Sequence, residues 1–381
     1  MNKKIFAVIL PIILILCGCS KDNVNNNNKE ISSSGKELIC VNWLENIYPD
    51  GAITQSTDYS KHMYFDFENM EQTVFCSKPN CMHNNSECIS NIVGECPILY
   101  NDYVYFFTSD SGVKETKTGR EFYIDSKLNR ISLETSEIET VSSFTDCEAR
   151  AKYLVYKDIL YFCGHDLGPT KDEFGNIFSG SAGGTTYICS IDLKTGEYKN
   201  YGSVYDGDKQ YEGAPSSSSA HISGFYDSKI FIEYSFAKNK LDDVDFSKTD
   251  PREIFTVLNF EFDPETGEIK ESDLPSGSYI RENTYVYSNY PENSSTVLYN
   301  GDKYIIDSVD SNTTGKSFNY KLFLSGKWYD IKDGTEHIWN DKYKHWQVVA
   351  MYKDCYIIAN PERLKFEKLT EEELLALDKE E

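Results

Sequence analysis

Four cysteines and one histidine crowd into "CSKPNCMHNNSECISNIVGEC", spaced Cys76-x4-Cys81-x-His83-x4-Cys88-x7-Cys96. Thiolates and a neutral imidazole are donors that a tetrahedral zinc ion takes, so Cys76, Cys81, His83 and Cys88 form a candidate structural zinc site, with Cys96 as an extra ligand. The same thiols could instead close local disulfides with Cys96 as a partner, or carry redox chemistry. Pro79, Asn80 and Asn84 bring the turn chemistry needed to fold ligands inward. The spacing is not that of a standard zinc finger, and the Cys-x-x-Cys-His of haem attachment is absent.

Signals for catalysis are thin elsewhere. The string "SGSAGG" has Ser179 where a hydrolase nucleophile elbow needs glycine. His62, His165, His221, His337 and His345 fall in no His-Glu-x-x-His zinc helix. The acidic stretches "HDLGPTKDEFGN" and "LDDVD" do not follow calcium-loop order and read as solvated loops. Paired carboxylates for glycoside cleavage are a matter of three-dimensional separation and stay open.

The elements that must position these residues repeat along the chain. An aromatic residue, a polar turn and an alternating apolar run recur as "YSKHMYFDF" from Tyr59, "YNDYVYFFTS" from Tyr100, "YKDILYFCG" from Tyr156, "FYDSKIFIEY" from Phe225, "LYNGDKYIID" from Leu298 and "MYKDCYIIAN" from Met351. Most are followed by a second alternating unit with an acidic or glycine turn, such as "CSIDLKTGEYKNY" and "FEFDPETGEIKES". Paired hairpins at this long period predict an all-β β-propeller over residues 37–368, with six blades. Completion of the last blade by the N-terminal "ELICVNWL" would shift the count to five or seven. The 28 Tyr and 21 Phe suit pleated, half-buried surfaces. Residues 369–381 predict a C-terminal helix, with Thr370 as N-cap, Glu373 as its capping-box partner, and Leu374, Leu375 and Leu377 as an apolar face. Three connections, 165–184, 206–220 and 237–253, are unusually long, and gathered on one face they would make it a binding surface.

The N-terminus reads as an export signal over residues 1–18. "MNKK" is basic, Ile5 to Leu16 is a short apolar run broken by Pro11, and "LCGC" is a small-residue cleavage site. Leu16-Cys17-Gly18-Cys19 resembles a bacterial lipobox and marks Cys19 as the lipidated residue; bulky Leu16 argues against cleavage before Cys17. The Asn- and Ser-rich residues 19–36 read as a disordered tether, a composition that suits a low-GC Gram-positive bacterium. This predicts an extracytoplasmic protein anchored to the cell membrane by lipid. The formal charge is −23, and loss of Lys3 and Lys4 with the signal takes it to −25. Such a chain repels phosphate backbones, so nucleic acid is not an expected partner. With Cys17 removed and Cys19 acylated, the eleven cysteines fall to nine, an odd number that cannot all pair within a monomer, the expected state.

Lipobox, Asn-rich tether, "CSKPNCMHNNSEC" after a first blade and repeated "YNDYVYFF" units together resemble TolB-like, six-bladed propeller lipoproteins of anaerobic Firmicutes, a domain of unknown function. The resemblance implies a surface-anchored, non-catalytic propeller and carries no activity with it. The leading expectation is a binding or scaffold module for a peptide, glycan or partner protein, with the cysteine segment clasping the first two blades. The alternative is a propeller hydrolase or lyase acting on extracellular polysaccharide, and a third reading is a sensor or assembly factor beside a membrane transporter. An enzyme should gather carboxylates, or a His–carboxylate pair, near the propeller axis.

Overall fold

The structure, a computed structural model, describes residues 38–39, 45–48 and 51–378, apart from 57–60, 77–80, 85, 94–95, 117–118, 150–151, 167–168, 172–176, 180–184, 205–217, 238–254, 275–277, 281–283, 290–293, 308–315 and 362–364. The predicted signal, lipidation site Cys19 and tether, and also Cys40, lie outside the described residues. Among the described residues, no helix is long and apolar enough to cross a membrane.

Antiparallel sheets follow one another in chain order: 45–74, 98–144, 154–203, 218–271, 278–307, 316–338 and 347–369. Five are four-stranded, the third is enlarged and the last has three strands. Seven hydrophobic clusters fill the gaps between neighbours. Val104 and Ile131 of the second sheet meet Ile53 and Phe75 of the first, and equivalent clusters join each later pair. The seventh cluster brings Val349, Ile357 and Ala359 of the last sheet onto Ala52, Phe65 and Phe67 of the first, with the Phe366 and Phe65 rings stacked at 3.9 Å. A closed circle of packed sheets leaves no sheet face unpaired. The chain is a seven-bladed β-propeller.

The sequence periodicity predicts six blades because the sixth, 316–338, hides its inner hairpin. In blades 2, 3, 4 and 7 the hairpin turn is a polar pair in the left-handed region, at Asn101–Asp102, Lys157–Asp158, Asp227–Ser228 and Lys353–Asp354, which is the backbone of a two-residue type I′ turn. In blade 6 the pair is Asn319–Tyr320, with Tyr320 at φ 59°. Its ring packs 4.5 Å from Tyr299 and lies under Lys332, contacts that offset the left-handed backbone and make the turn read as part of the core.

The outer hairpins share another device. Asp66, Asp192 and Asp263 each accept two N–H bonds from the following turn. In "KTGE" and "ETGE" the turn closes with Gly196 at φ 76° and Gly267 at φ 77°.

The N-terminal strand does not complete the last blade. Leu38–Ile39 pairs antiparallel with Leu154–Tyr156, the first strand of blade 3, with Leu38 opposite Val155. Leu38 therefore lies nearer the Lys157–Asp158 turn than Ile39 does. Among the described residues, side chains of the cluster between blades 7 and 1 close the ring. The terminal helix covers Glu371–Leu375 and has both bonds of a capping box between Thr370 and Glu373. Leu374 and Leu377 are buried in the cluster between blades 6 and 7, and Leu375 is exposed. Beyond the helix, Asp378 bridges Trp339 of blade 6.

Sequential four-stranded meanders sort the connections onto two sides. Links from first to second and from third to fourth strands are mostly tight turns, all on one side. Links from second to third strands and from blade to blade emerge on the other. The strand ends joined by 165–184, 206–220 and 237–253 all belong to this second side, as does the cysteine segment between Glu71–Val74 and Ile98–Tyr100. Blade 2 adds an arm that the sequence did not reveal. Its strands Tyr103–Thr116 and Gly119–Ser132 are 14 residues each and pair to the tip. They are far longer than the five or six residues typical of strands. A second hairpin, Pro169–Lys171 with Ile177–Ser179 from blade 3, lies against it.

Candidate functional site

The linker between blades 1 and 2 is pinned at both ends before it presents any ligand. Phe75 is buried and its N–H donates to the His62 carbonyl, fixing Cys76 at the end of blade 1. Cys88 precedes the short helix Ile89–Ile92, whose Ile89, with nearby Val93, is buried among Ile53, Val104 and Ile131. Between these anchors the ligand atoms of Cys76, Cys81, His83 and Cys88 lie within 4.8 Å of one another. Cys88 Sγ is 3.5 Å from His83 Nδ1. Tetrahedral zinc, with bonds of about 2.3 Å to sulfur and about 2.0 Å to nitrogen, sets its ligands roughly 3.5–3.8 Å apart. The four residues fit the metal.

Two local features serve the donor set. His83 holds φ 56°, a left-handed backbone that a histidine adopts at some cost, and its imidazole stands beside Cys88. Burial pushes the Cys88 thiol up, but bonds from Ser90, His83 and Cys76 outweigh it and bring it to about 6. A thiol so placed offers thiolate at neutral pH, the form a metal binds. Cys96 lies apart from this group, packed with Ile98, Tyr105 and Leu128 in the core between blades 2 and 3. Pro79 and Asn80 lie outside the described residues. Among the described residues no two cysteines are joined as a disulfide.

A second group was not singled out by sequence. His221 and Glu233 sit directly opposite each other on the first two strands of blade 4, with Nε2 and Oε1 3.9 Å apart and both side chains half-buried. Lys152, at φ 78°, stands just before the first strand of blade 3. First strands of neighbouring blades approach one another, as those of blades 4 and 5 do, whereas fourth strands are mostly exposed, so this group lies toward the axis. Burial, and then the Lys152 charge, lowers His221 to about 4. Burial raises Glu233 against the pull of Lys152, and lowers Lys152 against the pull of Glu233. The group couples an imidazole, a carboxylate and an amine whose charges are all disfavoured by their surroundings. Only cross-strand register brings them together, and no spacing in the sequence announces it.

No protein-family model matches the sequence, and no curated protein matches it. Among solved structures the chain is similar to dipeptidyl peptidase 4 of Porphyromonas gingivalis, with 12% identity and TM-score 0.37 over 91% of this chain and 55% of that one. This chain thus spans about half of that peptidase. An uncharacterized protein of Listeria monocytogenes aligns with 11% identity and TM-score 0.35 over 89% of this chain and 95% of that one. An oligogalacturonate lyase of Vibrio parahaemolyticus aligns with 12% identity and TM-score 0.28 over 85% and 77%. These likenesses concern fold alone.

The His221 group makes a pH prediction. Between about pH 6.5, where a free imidazole titrates, and about 4, the unfolded chain binds a proton at His221 that the folded chain does not. This contribution to stability is present above that window and is lost as pH falls through it. Glu233, whose folded carboxyl is raised, contributes with the opposite sign. His221→Gln should therefore lessen the acid sensitivity of urea unfolding by about 1–2 kcal/mol, after allowance for partial exposure. Identical pH slopes in variant and parent would refute the assignment.

Proposed function

We propose that this chain is an extracytoplasmic binding propeller, anchored to the membrane through lipid on Cys19 and clasped between blades 1 and 2 by structural zinc on Cys76, Cys81, His83 and Cys88. Its ligand is a peptide, a glycan or a partner protein. The observation that carries the binding reading is the sorting of connections. Tight turns occupy one side, while the strand ends of every long connection, together with the blade 2 arm, occupy the other. Binding residues concentrate on loops that a rigid scaffold presents. A second reading has one observation in its favour: the His221–Glu233 pair beside Lys152 is the kind of group a hydrolase or lyase of extracellular polysaccharide needs near the axis.

The test probes peptide and glycan arrays with the chain starting at Ser20, alongside a variant in which 111–124 is replaced by an Asn-Gly turn. Specific binding by the parent, weakened at least tenfold in the short-armed variant while its melting temperature holds, supports the proposal. Equal binding by both chains removes the arm from the surface. Release of new sugar ends from polysaccharide, abolished by Glu233→Gln, favours the second reading instead.

A further inference from the structure

Cys147 and Cys189 sit 42 positions apart in sequence, yet their sulfurs are 3.8 Å apart. Cys147 follows the last strand of blade 2, Cys189 lies in the third strand of blade 3, and both are fully buried. Two details distinguish this pair from ordinary core thiols. Gly164 gives the sulfurs their space: a Cβ there would stand 2.3 Å from Cys147 Sγ and 3.1 Å from Cys189 Sγ. The Tyr198 hydroxyl lies 3.5 Å from Cys147 Sγ and 3.3 Å from Cys189 Sγ. It donates its own proton to Asp146, at 2.8 and 2.9 Å from the two carboxylate oxygens, so the thiols are left to donate to the phenol oxygen. Phe144 stacks on the Tyr198 ring at 4.5 Å and Asn200 donates to Asp146 at 2.7 Å, which fixes the relay. Asp146 is exposed. A hydrogen-bonded path for a leaving proton thus runs from buried sulfur to the surface.

We infer that Cys147 and Cys189 are a redox pair that closes to a disulfide across the junction of blades 2 and 3. With hydrogen peroxide as oxidant, Cys147 sulfur attacks one peroxide oxygen and the O–O bond breaks. The thiol proton passes to Tyr198 and on through Asp146 to solvent, the departing hydroxide takes an equivalent proton from solvent and leaves as water, and Cys147 becomes a sulfenic acid. Cys189 sulfur then attacks Cys147 sulfur, the S–O bond breaks, and the Cys189 thiol proton joins the departing hydroxide as a second water. Two thiols lose two electrons and two protons, and one peroxide becomes two waters. The bond ties a linker to a central strand and closes a long loop, which limits the unfolded chain.

The experiment treats the purified chain with hydrogen peroxide and maps its peptides without reduction. A Cys147–Cys189 linked peptide, reversed by dithiothreitol, is expected. The apparent melting temperature of the oxidised chain should rise by about 3–6 °C. Cys189→Ala should show no such rise and should stop at sulfenic or sulfinic acid on Cys147. Tyr198→Phe should slow crosslinking without preventing it. If the mapped parent instead links Cys147 to Cys163, or keeps both thiols under peroxide, the inference is overturned. That outcome needs no variant to fold.

Discussion

Cys88→Ser should empty the clasp between blades 1 and 2 and lower stability by on the order of 4 kcal/mol, among the larger effects a single substitution produces. Cys88 is the buried residue of the four and directly precedes the helix that anchors the segment in the core, so its loss removes a proposed zinc ligand at the site's fixed point. Elemental analysis should find about one zinc per parent chain and almost none in the variant. Cys81→Ser should lower zinc and thermal stability in the same direction, whereas Met82→Ser, at a side chain 77% exposed, should change neither. A chelator should bring the parent down to the melting temperature of Cys88→Ser. Parent protein without metal, in which mass mapping finds two of these cysteines bonded to each other, would sink the zinc reading and restore the disulfide one. His83 is the reason to expect zinc, since a disulfide has no use for an imidazole set 3.5 Å from a sulfur.

Phe65→Ala should be comparably damaging, at about 3–5 kcal/mol in urea unfolding. Among the described residues no N-terminal strand completes the last blade, and the junction of blades 7 and 1 rests on side chains. Phe65 is buried at its centre, stacked on Phe366 and surrounded by Ala52, Val349 and Ile357. Phe65→Leu, which refills most of the space, should cost about 1.5 kcal/mol or less. If alanine at 65 costs no more than a surface substitution, closure does not depend on this cluster.

The sequence made the propeller legible because period-two alternation around polar turns is a local property. It missed blade 6 because Tyr320 occupies a turn position that blades 2, 3, 4 and 7 give to Asp or Ser, a choice supported by contacts with Tyr299 and Lys332. It picked out Cys76, Cys81, His83 and Cys88, whose ligand atoms the fold gathers within 4.8 Å, because they crowd into one short stretch. It could not find His221 with Glu233, or Cys147 with Cys189, because strand register and blade packing join residues that are distant in sequence. The blade 2 arm escaped for a different reason: from Asp110 to Glu115 its strand is exposed or half-buried and Val113 is the one large apolar residue in the run, so no apolar alternation marks it.

The two-residue strand at Leu38–Ile39 bears on how an anchored chain would stand. Because Leu38 lies toward the side of the tight turns, a tether pulling there would draw on that side. Tension on the chain before Leu38 would be borne first by the short ladder against Leu154 and Val155, which can yield while the seven packed junctions stay intact.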